Sequence, residues 1–138
     1  MHPSPKSNAT GLKKVLIVDD DKFMLTVMED MLRGMGVGDV TTACDGDAAL
    51  KAYDRSIAPD MVVCDLNMPG TDGFQFMERL GDRGFKGSVV LVSGMDGRVL
   101  NSASLMGRFH QLNILGALPK PLDESALRAL MGQSRVTH

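Results

Sequence analysis

The chain has 138 residues, 43% apolar and 23% charged, enough for one ordinary globular core and too few for two comfortable domains. A formal net charge of -2 at pH 7, with no long Lys/Arg run, gives no electrostatic footprint for direct nucleic-acid binding or for an anionic membrane surface. Cys44 and Cys64 show neither CxxC spacing nor clustered histidines, so neither a zinc site nor a disulfide framework is indicated, and a reducing cytoplasm fits.

The opening stretch "MHPSPKSNATG" is polar and rich in Pro and Ser, and it lacks the apolar run of a secretory signal. Residues 1–12 are therefore expected to be a disordered lead, with one folded domain over 13–133 and a short tail at 134–138. The first strand is "KVLIV", which runs directly into Asp19, Asp20 and Asp21. A helix follows over Phe23 to Arg33, with Phe23/Val27 and Met24/Met28/Met31 at helical spacing and Met35 continuing the stripe. Core packing is the expected fate of that stripe. Gly34, Gly36 and Gly38 break the helix; "GMGVG" follows a helix and precedes a strand, the reverse of what a dinucleotide loop requires.

"DVTTA" reads as the second strand, and Asp47 to Ser56 as a helix burying Ala48, Ala49, Ala52 and Tyr53. The third strand, "MVVC", ends at Asp65, and after "MPGTDG" a helix over Gly73 to Leu80 buries Phe76, Met77 and Leu80. The fourth strand is "SVVLVS". Beyond it Val99, Leu100, Ala103, Leu105, Met106, Phe109 and Leu112 spread too widely around a helical wheel for one buried face, which suggests a protein contact there. "ILGAL" is the fifth strand; Pro119 cannot donate to a ladder, so this strand belongs at a sheet edge. Asp123 caps a last helix that buries Ala126, Leu127, Leu130 and Met131.

Alternating βα units with buried, non-alternating strands predict an α/β fold, a parallel sheet covered on both faces. Ligands of such sheets sit beyond the carboxyl ends of the strands. Adjacent carboxylates repel by about 1 kcal/mol per pair at 4 Å in water, so the triple aspartate calls for a cation. With the first and third strands as neighbours, Asp19, Asp20 and Asp65 converge into a hard, oxygen-rich pocket suited to Mg2+. Ser93 and Lys120 end the next two strands. A nucleophilic carboxylate, a divalent cation, a hydroxyl and an ammonium form the set that places and stabilises a phosphoryl group.

In order and spacing, "VLIVDDD", "VVCDLNMPGTDG", "VLVSG" and "LPKP" make the chain resemble a response-regulator receiver domain of two-component signalling over Lys13 to Met131. The resemblance implies a flavodoxin-like (βα)5 fold, a doubly wound five-stranded parallel sheet in the order 2-1-3-4-5, the order the chemotaxis receiver exemplifies. It implies that Asp65 is the phosphoacceptor, that Asp19, Asp20, Asp65 and the backbone carbonyl of Asn67 hold Mg2+, that Ser93 moves toward the phosphoryl oxygens, and that Lys120 is the paired cation. It also implies a cis Lys120-Pro121 bond. The implied partners are a sensor histidine kinase or phosphotransfer protein, an output domain or effector, and a second receiver. Asn67 and Met95 occupy positions that in the family influence dephosphorylation.

One departure stands out: the aromatic residue that the family commonly carries three positions before the motif Lys is here Ala117. "SGMDGRVLNSASLMGRFHQLNILGALPKPL" is similar to receivers that precede a cyclic-di-GMP phosphodiesterase (EAL) domain, so a cyclic-di-GMP-related output is among the implied partners; no such domain lies within this chain. The expected role is a switch that catalyses only its own phosphotransfer and dephosphorylation. Two other classes share features with it. A haloacid-dehalogenase-type phosphatase also uses an aspartate and Mg2+, but Phe23 fails its motif and no cap is present. A phosphate-independent pseudo-receiver would keep the fold; Ala117 speaks for it and the intact Asp20, Asp65, Ser93 and Lys120 set against it.

Overall fold

A computed structural model describes residues 11–66, 72–93, 109 and 111–136. Strand β1 (Lys14–Val18), helix α1 (Lys22–Gly34), β2 (Asp39–Ala43), α2 (Gly46–Arg55), β3 (Met61–Asp65), α3 (Asp72–Asp82), β4 (Ser88–Ser93), β5 (Asn113–Pro119) and α4 (Glu124–Val136) follow one another along the chain. All four strand pairings are parallel, in the order β2-β1-β3-β4-β5. The edge position of β5 is the one Pro119 demands.

Because strand side chains alternate between faces, each apolar run feeds two cores. Leu16, Val18, Val62 and Leu91 point toward α2 and α3, where they meet Leu50, Phe76 and Leu80. Val15, Ile17, Val63 and Val90 point the other way, toward Met28 and Leu32 of α1 and Leu127 of α4. Central strands buried on both faces have no use for polar residues until the chain emerges at the carboxyl end, which is where β1 and β3 turn acidic.

The helices are fixed locally. Asp21 caps α1, its Oδ1 accepting from Phe23 N at 2.9 Å and Met24 N at 3.4 Å. At the other end Gly36 takes φ 100°, and Val37 N donates to Leu32 O at 3.1 Å, closing a left-handed terminus only glycine adopts cheaply. Asp45 caps α2 through Ala48 N at 2.7 Å, and Asp123 caps α4 through Ala126 N at 2.9 Å.

The sheet-facing stripe of α1 differs in phase from the one expected. Leu25, Met28, Leu32 and Met35 are buried, Met24 and Met31 only partly so, and Phe23 is 71% exposed. Phe23 lies two residues, roughly 200° of helical rotation, from Leu25, so it cannot share that face. In α2 the buried pair is Ala49 and Leu50, with Ala48, Ala52 and Tyr53 at the margin. Phe76, Met77 and Leu80 of α3 are buried as expected, as are Leu127 and Met131 of α4, whose Ala126 and Leu130 are half-buried. Phe109 and Leu112 are buried; the other apolar positions of the 99–112 segment, the lead at 1–10, Met95, His110 and Asn67 lie outside the described residues.

Candidate functional site

The register between β1 and β3, with Val18 opposite Cys64, carries the next residues, Asp19 and Asp65, to neighbouring positions at the carboxyl edge of the sheet. Asp19 N donates to Ala43 O at 3.1 Å, extending the β1–β2 ladder by one bond and fixing the backbone there. Asp19 and Asp65 are 0% and 1% exposed, whereas Asp20 opens to solvent. One carboxylate oxygen from each of the three lies within 4.8 Å of the others.

Lys120 arrives from the end of β5. Its N–H donates to Ser93 O at 2.8 Å, and the Lys120-Pro121 bond is cis. Its ammonium donates to Asp65 Oδ2 at 3.1 Å and lies 2.9 Å from Asp19 Oδ2. Ser93, itself buried, ends β4 opposite Pro119, while its neighbour Val92 is in register with Asp65. The structure thus brings Asp19, Asp20, Asp65, Ser93 and Lys120 to one edge.

The charges do not balance. Burial pushes the Asp19 carboxyl above its ordinary range; the Asp21 N–H on its Oδ1 at 2.8 Å and the Lys120 ammonium pull it down, and the Asp65 charge pushes it up again, for a net rise. Burial works against the Lys120 charge too, but Asp19 and Asp65 together hold its proton more tightly than an ordinary lysine's. Asp19 Oδ2 touches this ammonium as an ion pair, yet it is a buried oxygen that accepts no hydrogen bond among the described residues. Three converging carboxylates, one ammonium and a buried acceptor without an aligned donor fit a hard divalent cation. Behind the site, burial drives the Cys64 thiol far up and leaves it inert.

One feature of the site escapes sequence patterns. A Cβ built on Gly73 would stand 2.8 Å from Asp65 O and 3.1 Å from Leu66 Cα, so α3 presses its bare first turn against the backbone that carries Asp65. "DG" before a helical run is the only sequence signal, and it reads equally as a turn. Asp21, adjacent to the cluster, belongs to the helix, the role expected of an aspartate just before a helical run.

This arrangement sets three carboxylates and a lysine at the carboxyl edge of a doubly wound parallel sheet. The chain belongs to the response regulator receiver domain family, whose model matches residues 15–131. Receiver domains are signalling switches of two-component systems, with aspartyl phosphorylation and Mg2+ as general features of the family. The chain is 31% identical over 117 residues to cyclic di-GMP phosphodiesterase RocR of Pseudomonas aeruginosa, covering 85% of this chain and 30% of RocR. It is 33% identical over 82 residues to chemotaxis protein CheY of Listeria monocytogenes, covering 59% of this chain and 68% of that protein. Among solved structures, the CheX-CheY-BeF3-Mg+2 complex of Borrelia burgdorferi matches with a TM-score of 0.75 at 23% identity, over 91% of this chain and 90% of that one, a likeness of fold. The chain spans less than a third of RocR's length. Among the described residues no helix is long and apolar enough to cross a membrane.

Proposed function

We propose that the chain is a phosphoacceptor receiver, modified on Asp65 by a partner histidine kinase or phosphotransfer protein. The observation that carries this reading is the pair of buried carboxylates, Asp19 and Asp65, sharing one ammonium beside the third carboxylate of Asp20. Asp19, Asp20 and Asp65, with the Asn67 carbonyl, would hold Mg2+. When bound, the cation offsets the negative charge that gathers on the transferring phosphoryl oxygens.

An Asp65 carboxylate oxygen attacks phosphorus, forming an O–P bond. The P–N bond of a phosphohistidine donor that is protonated on its other ring nitrogen breaks, and the electron pair stays on the imidazole, which leaves neutral. Lys120 Nζ, 3.1 Å from Asp65 Oδ2, is within reach of an oxygen of the added group, and the Ser93 hydroxyl lies at the adjoining strand end. Pre-positioned donors of this kind stabilise the transition state without reorganising. Hydrolysis reverses the modification: water attacks phosphorus, the Asp65 O–P bond breaks, and the carboxylate is regenerated with release of phosphate.

The switch works through contacts with an output domain or effector in the cytoplasm. The likeness to RocR over 85% of this chain favours an output concerned with cyclic-di-GMP. The deciding experiment is intact mass after incubation with acetyl phosphate, with and without Mg2+. The expected result is a Mg2+-dependent gain of one phosphoryl group in the wild type and none in Asp65→Asn. No gain in the wild type under either condition would establish the phosphate-independent module instead, and turnover of donor far beyond one equivalent within the mixing time would point to a hydrolase.

A further inference from the structure

Ala117 removes the aromatic side chain expected at that position of β5, yet the same face of the sheet carries another ring. Phe109, 4% exposed, belongs to the cluster that Ala117 packs against. Its ring stacks on Phe74 with centroids 6.1 Å apart and planes inclined by 22°. Phe74 follows Gly73, where an added Cβ would stand 2.8 Å from Asp65 O and 3.1 Å from Leu66 Cα. Asp65, Gly73, Phe74 and Phe109 therefore form a continuous line of contact from the acidic pocket, along the first turn of α3, to the chain entering β5. Phe109 also borders a cleft of about 350 Å³ lined by Met77, Glu78, Gly81, Asp82, Gln111 and Leu112.

We propose that the Gly73–Phe74–Phe109 contact is the conformational relay of this receiver, coupling the state of Asp65 to the segment that leads into β5. The proposal rests on the phosphoacceptor reading of Asp65. The contact at Gly73 leaves no slack: a backbone already closer than a Cβ would tolerate transmits a displacement of the Asp65–Leu66 peptide to α3 instead of absorbing it. Phe74 then shifts, the stack loses its geometry, and Phe109 moves toward the cleft. A ring with two packed positions is the bistable element that coupling between distant sites requires.

The test uses the full chain with Mg2+ and excess acetyl phosphate, reading phosphoryl occupancy by intact mass and hydrogen exchange over residues 111–119 from the same sample. In the wild type, phosphorylation is expected to change exchange across this stretch. Phe74→Leu, at a half-buried position where folding is retained, is expected to take up the same phosphoryl group and lose most of the exchange change. Phe74→Tyr, which keeps a ring, is expected to restore it. Phe109→Leu should resemble Phe74→Leu, and the double variant should lose no more than either single one. A labelled Phe74→Leu protein whose exchange response is undiminished, or a labelled wild type with no response at all, overturns the relay and leaves Asp65 standing. An unlabelled wild type overturns the phosphoacceptor reading and the relay together.

Discussion

Asp19, Asp20 and Asp21 are the same side chain three times in a row, and their surroundings assign them different work. Asp21 satisfies the helix, Asp20 faces water, and Asp19 is buried, its Oδ2 sharing the Lys120 ammonium with Asp65. A buried carboxylate beside a second one is a liability to the folded state unless a cation joins it. Asp19→Asn keeps an Oδ1 for the Asp21 N–H and removes the charge; its Nδ2 would replace the Oδ2 that Lys120 faces, so the ammonium turns to Asp65, its remaining partner. In metal-free solution at neutral pH this variant is expected to be more stable than wild type by about 1 kcal/mol, seen as a higher urea midpoint with unchanged slope. The same variant should bind Mg2+ at least tenfold more weakly. An unchanged or lower midpoint would show that the pair with Lys120 outweighs the burial of Asp19.

At the scale of elements, two glycines in helices should respond in opposite directions to the same substitution. Gly132 lies inside α4 with nothing within 4 Å of a built Cβ, so Gly132→Ala should stabilise by about 0.5–1 kcal/mol. Gly73→Ala would gain the same propensity and lose more, because its Cβ would stand 2.8 Å from Asp65 O. The expected result is a protein destabilised by about 1–2 kcal/mol and slower to accept phosphate, measured by thermal melts and by the rate of mass gain. The contrast also explains what the sequence could reveal. The strands were legible because Val, Ile and Leu runs end abruptly in charge, and Pro119 alone placed β5 at an edge. That Asp19, Asp20, Asp65, Ser93 and Lys120 meet at one edge was legible because a parallel sheet puts all strand ends on one side. The phase of α1 was not: methionines and Phe23 suggested one stripe, while Leu25 and Leu32 define the one the sheet covers. Nor were the Gly73 approach and the Phe74–Phe109 stack, which depend on distances between elements that no local pattern encodes.

For the molecule as a whole, the acidic edge should make stability depend on pH and on Mg2+ in a linked way. Asp19 binds its proton more tightly in the folded chain than its ordinary value of 3.8 allows, so between that value and the raised one the folded state holds more protons than the unfolded state. Stability therefore falls as pH rises through this window. Lys120, raised above its ordinary 10.5, adds stability that is present at neutral pH and is lost only as pH climbs through its folded value. Other carboxylates also titrate in the acid range, so the quantity to follow is the difference between wild type and Asp19→Asn. That difference should be near zero at the acid end, where Asp19 is protonated and resembles its amide, and should grow in favour of the variant as pH rises to neutrality. Adding Mg2+ at about a hundred times its dissociation constant should stabilise the wild type by about 2.7 kcal/mol and reverse the order of the two proteins. Urea titrations with EDTA and with Mg2+ across the range measure all of it. A difference that shrinks with rising pH, or an order that Mg2+ leaves unchanged, would mean that Asp19 is not the group through which this fold feels its cation.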